Sequence, residues 1–367
     1  MRRGDFRSET SPTGQLGRRI PGPAARSKAK LSCWIGARIL KRHSDCRLSP
    51  VSRKNRKGWL MSDLRAQAKA FYNALDFDKP IDFGVPDLVP NGLDEGLYVE
   101  RIHGEGDRDP VQELADQIDF AESAGAYLFT GNRGTGKTTE LLRLAKMLQD
   151  YDCEVFYADM SEYLTLTQRI EVTDFLISVL GAFSEKIKHR FGEDPGNQGF
   201  FARVCNFLNS RVEFNEMSLP AGPLELKASL NQNPNFKVEL QRKTRGLVEQ
   251  LLRQAREFAL EAVTLVRQKR GDESRKVVLI VDSVERLRGV GDSEDVHEVF
   301  KSAETLFASH ADKLRFTGLT VVYTVPPYLS ALAGGLGAFY AGWQHLRTSQ
   351  RAHLPLLPRA GGKARIL

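Results

Sequence analysis

Eight consecutive residues, Gly131-Asn132-Arg133-Gly134-Thr135-Gly136-Lys137-Thr138, match the spacing GxxxxGK[S/T] at every fixed position. The chemistry served by that spacing is the holding of a phosphate chain. Gly131, Gly134 and Gly136 permit backbone geometries closed to other residues, so successive N–H groups can turn toward phosphate oxygens. Asn132, Arg133 and Thr135 complete the loop and belong to the expected nucleotide-binding set. A helix opening near Lys137 adds its positive N-terminal end. Lys137 is expected to reach the β- and γ-phosphates, and the Thr138 hydroxyl to complete a magnesium shell. Thr139 is placed near the α-phosphate.

A second stretch, VVLIVDSVERL (residues 277–287), runs five apolar residues into Asp282. An acid ending a buried strand is weak evidence alone. Following a phosphate loop, it reads as the carboxylate that orients magnesium, usually through water; the other reading is a capping acid. Hydrolysis also needs a group to position the attacking water. Ser283 cannot act as a carboxylate base, whereas Glu285 could reach back if the strand opens into a turn. Otherwise Glu285 is a solvent-facing acid paired with Arg286 or Arg288. Thr324, at the tip of LTVVYTV (319–325), either senses the γ-phosphate or makes ordinary strand-end hydrogen bonds.

Positioning these residues requires strands that alternate with helices. AYLFT (126–130), CEVFYAD (153–159), VVLIVD (277–282) and LTVVYTV each form a short, nearly continuous apolar run. Between them lie amphipathic stretches, with another, DPVQELADQIDFAES (109–123), ahead of the first. Buried strands alternating with helices imply a mainly parallel sheet covered on both faces, an α/β fold in three layers. LYVERI (97–102) is a candidate short strand. Extra material sits at about 200–271. Leu224, Leu226, Ala228 and Leu230 alternate after the turn PAGP, which predicts a hairpin. A long helix is predicted over about 238–269, either packed on its own sheet or serving as an arm toward a partner.

Charge is segregated along the 367 residues. Residues 1–60 carry a net +13 and residues 331–367 a net +5, leaving 32 basic and 43 acidic residues between 61 and 330. The body is therefore acidic, and nucleic acid as a partner draws support only from the tails. Cys33, Cys46, Cys153 and Cys205 lie far apart without a CxxC pair, which reads as reduced cysteines and a cytoplasmic location. The apolar run at 328–343 contains four glycines and is shorter than the roughly 20 residues of a membrane span. Membrane insertion is not expected.

Four regions follow. Residues 1–60 are expected to be a disordered basic extension, translated from a start codon upstream of Met61. Residues 61–96 form an N-terminal helix (61–75) and linker, and residues 97–330 the main domain with its insertion. Residues 331–367 form an atypical tail, with no clear strand in 343–367, standing in for a longer C-terminal half.

Taken together, LFTGNRGTGKTTELLRL, VVLIVDSVERL and VVYTVPPYL resemble the additional-strand P-loop ATPases, the branch that contains AAA-type and STAND-type proteins, over about residues 92–330. The resemblance implies that the strands of Asp282 and Thr324 lie on one side of the phosphate-loop strand, with a fifth strand on the other. It implies ATP rather than GTP, with Mg2+ as cofactor. Lys137, Asp282, Glu285 and Thr324 are then the catalytic candidates. The expected function is Mg-dependent ATP hydrolysis used as a conformational switch on a protein partner or in self-association. The alternatives are a nucleotide-holding module without efficient turnover and a nucleic-acid-associated ATPase.

Overall fold

The computed structural model describes residues 79–85, 92, 93, 95, 98, 103, 108–211 and 223–346. The basic extension, the 61–75 helix, the 347–367 tail and LYVERI other than Tyr98 lie outside these residues. Among the described residues of the unit Lys79–Leu367, five strands form one sheet. They are β1 (Ala126–Gly131), β2 (Glu154–Asp159), β3 (Val277–Asp282), β4 (Leu319–Val325) and β5 (Gly342–Leu346). Their order is β2-β3-β4-β1-β5, and every pairing is parallel.

Strand periodicity splits the core into two layers. Tyr127, Phe129, Val155, Tyr157, Val278 and Ile280 face one cluster, completed by α1 (Pro110–Phe120) and α2 (Lys137–Asp150). Ala126, Leu128, Phe156, Ala158, Leu279 and Val281 face the other, covered by α3 (Val172–Phe191) and α7 (Val248–Arg270). The stripe Val111, Leu114, Ala115 and Ile118 fixes the buried face of α1, and Asp109 caps it by accepting from the Val111 and Gln112 amides. Each large aliphatic side chain so buried contributes about 2 kcal/mol.

The insertion differs from the predicted hairpin. Among its described residues it forms four helices, α4 (Phe200–Arg211), α5 (Pro223–Gln232), α6 (Pro234–Thr244) and α7. The alternation of Leu224 to Leu230 misled because Leu226 and Leu230 are also four residues apart. These two are buried on one helical face, while Leu224 is exposed. Pro223 and Pro234 start their helices, the position at which the missing N–H of proline is harmless. The predicted long helix is interrupted by a 3-10 turn at Arg245–Leu247, around Gly246.

The tail also differs from its reading. Gly342–Leu346 is a strand pairing with Tyr127–Gly131, so the sheet extends beyond residue 330. α8 (Ser293–Glu304) runs on into a π-helical turn, Thr305–Ser309, before β4. A short α9 (Leu329–Leu332) follows that strand. No helix among the described residues is long and apolar enough to cross a membrane.

Candidate functional site

Because all strands are parallel, the ends of β1, β2, β3 and β4 open at one edge, where ligands collect in such sheets. β1 delivers the glycine-rich turn and α2 begins at Lys137, with Gly136 as its N-cap. Gly134 and Gly136 have φ of +80° and +81°, the left-handed region that glycine adopts without strain. A Cβ at either would meet nothing within 4 Å, so both face open space. Gly131 is different. Its φ is not positive, but a Cβ there would stand 3.0 Å from Thr135 Oγ1 and 3.1 Å from the carbonyl oxygen and Cβ of Leu346 on β5, tighter than ordinary contact.

The loop closes on itself through the Asn132 carbonyl. That oxygen accepts from Thr135 Oγ1 at 2.9 Å and from Lys137 Nζ at 3.1 Å. Lys137 is buried, and its ammonium also lies 3.5 Å from Glu285 Oε1. The turn after Asp282 thus does carry Glu285 back to the loop. Its other oxygen, Oε2, is buried without a hydrogen-bond partner. Thr139 is directed elsewhere, its hydroxyl accepting from the Ile81 amide at 3.4 Å. Arg133 is exposed.

Asp282 is the centre of the site. Its Oδ2 accepts from Thr138 Oγ1 at 2.8 Å and from Tyr157 Oη at 2.6 Å, and its Oδ1 from the Ser283 amide at 2.6 Å. Full burial raises the carboxyl above the usual range, and the negative charge of Glu285 adds to this; the three donors pull it back. β2 ends beside it with Asp159, in register with Asp282. Asp159 accepts from the Ser161 amide and hydroxyl at 2.9 and 2.7 Å.

One threonine holds the turn carrying Glu285 against backbone strain. Ser283 has φ +69°, which costs a non-glycine residue about 1–2 kcal/mol. Thr324 Oγ1 accepts from the Val284 amide at 3.0 Å and donates to the Val281 carbonyl at 3.3 Å. Its hydroxyl is thereby engaged in positioning the turn. Farther along, the Arg288 amide donates to the Leu166 carbonyl at 3.1 Å. The 160–171 loop receiving that bond is fastened on two more sides. Ser302 of α8 accepts from the Ile170 amide at 3.1 Å. Asn231 of α5 donates to the Glu162 carbonyl at 3.2 Å, and its own carbonyl accepts from Thr165.

Sequence reading missed Tyr157 and Asp159. The available signal was the YAD ending of a strand adjacent to the one bearing Asp282. A separate cavity of about 770 Å³ lies between α4 and α7, lined by Asn206, Phe207, Gln250 and Arg253 among others. It contains none of the candidate residues. No family model, curated protein or solved structure matches the chain.

The residues fit a phosphate chain and a divalent cation. Two left-handed glycines line an open cradle, a buried lysine adjoins it, and a hydroxyl and a carboxylate meet at its inner end. Among the described residues no three His, Cys, Asp or Glu side chains cluster to hold a metal alone. Mg2+ does not need such a cage, because it is held by one or two carboxylates together with substrate phosphates.

Proposed function

We propose that this chain is an additional-strand P-loop protein that binds ATP with Mg2+ and hydrolyses it, using the cycle to change how a partner is held. The observation carrying this reading is the 2.8 Å contact between Thr138 and Asp282, 144 residues apart in the chain. Two stretches singled out for complementary chemistry meet at the ligand edge of a parallel sheet.

ATP with Mg2+ supplies, when bound, an activated phosphoanhydride and a cation that neutralises its charge. The loop N–H groups around Gly134 and Gly136 bind phosphate oxygens. Lys137 exchanges Asn132 and Glu285 for the β- and γ-phosphates. Thr138 and Asp282 hold the cation. Glu285, released from Lys137, would orient a water through Oε2 and take its proton as the water oxygen bonds to the γ-phosphorus and the bond to the ADP oxygen breaks. Thr324 keeps the turn in place during that exchange. A nucleotide-holding module without turnover is the second reading, favoured by Ser283 standing where many such proteins carry an acid, with its hydroxyl buried and unpartnered.

The test is Mg-dependent phosphate release from ATP by the full chain, beside Lys137→Ala and Glu285→Gln. Lys137→Ala should abolish ATP binding, and Glu285→Gln should bind ATP while losing about 100-fold or more in turnover. Binding that survives in Lys137→Ala would refute the site. Binding without turnover in the unaltered protein would select the second reading.

A further inference from the structure

Tyr157 has no part in the phosphate-loop reading, yet its hydroxyl makes a bond as short as any at Asp282, 2.6 Å to Oδ2. Register explains how it arrives there. Asp159 pairs with Asp282, so Tyr157, two residues back on the same face, is the diagonal neighbour of the acid and within reach of a long side chain. The ring packs in the cluster shared with α1 and α2. A phenylalanine would fill that space without burying a hydroxyl, which is costly unless it is bonded.

An aspartate carboxyl rotates broadly about its last torsion. Here Tyr157 and Thr138 converge on one oxygen while the Ser283 amide takes the other. Thr138 is itself a candidate cation ligand, so its hydroxyl serves two demands. Tyr157 serves only Asp282, and a donor held by the sheet keeps Oδ2 in place whatever Thr138 does.

We propose that Tyr157 is a positioning residue of this site, its hydroxyl fixing the Asp282 carboxylate in the orientation that receives a divalent cation. The proposal rests on the nucleotide-binding reading above. It gives Tyr157 the part that outer-shell hydrogen bonds play at metal sites, where their loss weakens metal affinity 10–100-fold.

Calorimetric titration of Mg2+ into the full chain saturated with a non-hydrolysable ATP analogue tests it. Tyr157→Phe should raise the Mg2+ half-saturation about 10-fold, leaving the affinity for the analogue in EDTA unchanged. In an Asp282→Asn background the same substitution should add nothing, an outcome that a merely structural role would not produce. An unchanged half-saturation, or an equal shift in both backgrounds, overturns the proposal. If Phe prevents folding, 4-fluorophenylalanine at position 157 fills the space of the hydroxyl without its donor; a half-saturation that does not move then overturns it. Analogue binding that Lys137→Ala abolishes, with Tyr157→Phe silent, defeats this proposal alone. No analogue binding by the unaltered protein defeats the nucleotide reading and this proposal together.

Discussion

Replacing Thr324 by valine removes one hydroxyl while keeping the shape of the side chain. The Val284 amide then loses its acceptor, now 3.0 Å away, at a residue with no solvent exposure. Leaving a buried N–H unsatisfied costs about 1–3 kcal/mol, and no cavity adds to that. Taking about 2 kcal/mol, the midpoint of thermal unfolding of a domain this size should fall by about 4–8 °C. Thr324→Ser keeps the hydroxyl and should recover most of the loss. Calorimetry without nucleotide measures this. Phosphate release should show a lower kcat with little change in KM, because the turn carrying Glu285 loosens while the phosphate loop stays intact. If Thr324 served only to sense a γ-phosphate, valine would reduce turnover and leave the nucleotide-free protein as stable as before. That result would refute the positioning role.

Burial pushes the Asp174 carboxyl on α3 up to about 6, partly offset by nearby Lys237 and by the Gln241 amide. With the folded value above the unfolded one, its stabilising contribution is complete below about pH 4 and is lost as pH rises through about 6, a change of about 3 kcal/mol. Asp174→Asn should abolish that slope in urea unfolding measured from pH 4 to 7.5, and parallel curves would contradict the assignment. Gly136→Ala places a side chain at φ +81°, where space is free and only the backbone resists. It should cost about 1–2 kcal/mol of stability and a larger share of nucleotide affinity, since relaxing the strain moves the loop. Unaltered affinity would show that the loop backbone does not bind phosphate.

Much of the fold was legible because its signals are local. The apolar run 277–282 coincides with β3 and 319–325 with β4, and the order of strands around β1 agrees with the resemblance. β5 was missed because Gly342, Trp343, Gln344 and His345 are only half-buried, so no apolar run marks them. The α5 helix was misread where periods of two and four coincide. At the site, the meeting of the 131–138 loop with Asp282 was legible from type and spacing, and the approach of Glu285 to that loop from chain proximity. Tyr157 was not, because its contact depends on the register between β2 and β3. Gly131 was assigned to backbone torsion, whereas the close approach there comes from Thr135 in the same loop and from Leu346, more than 200 residues away.

The 160–171 loop is a crosspiece bolted at three ends, to Arg288, to Ser302 and to Asn231. Tyr163 adds bonds to Glu185 and Ser178 of α3, and Met160, Tyr163, Leu164 and Ile170 are buried in the core beneath it. Through this loop the insertion is joined by hydrogen bonds to the segment just beyond the Glu285 turn, with no other element between them.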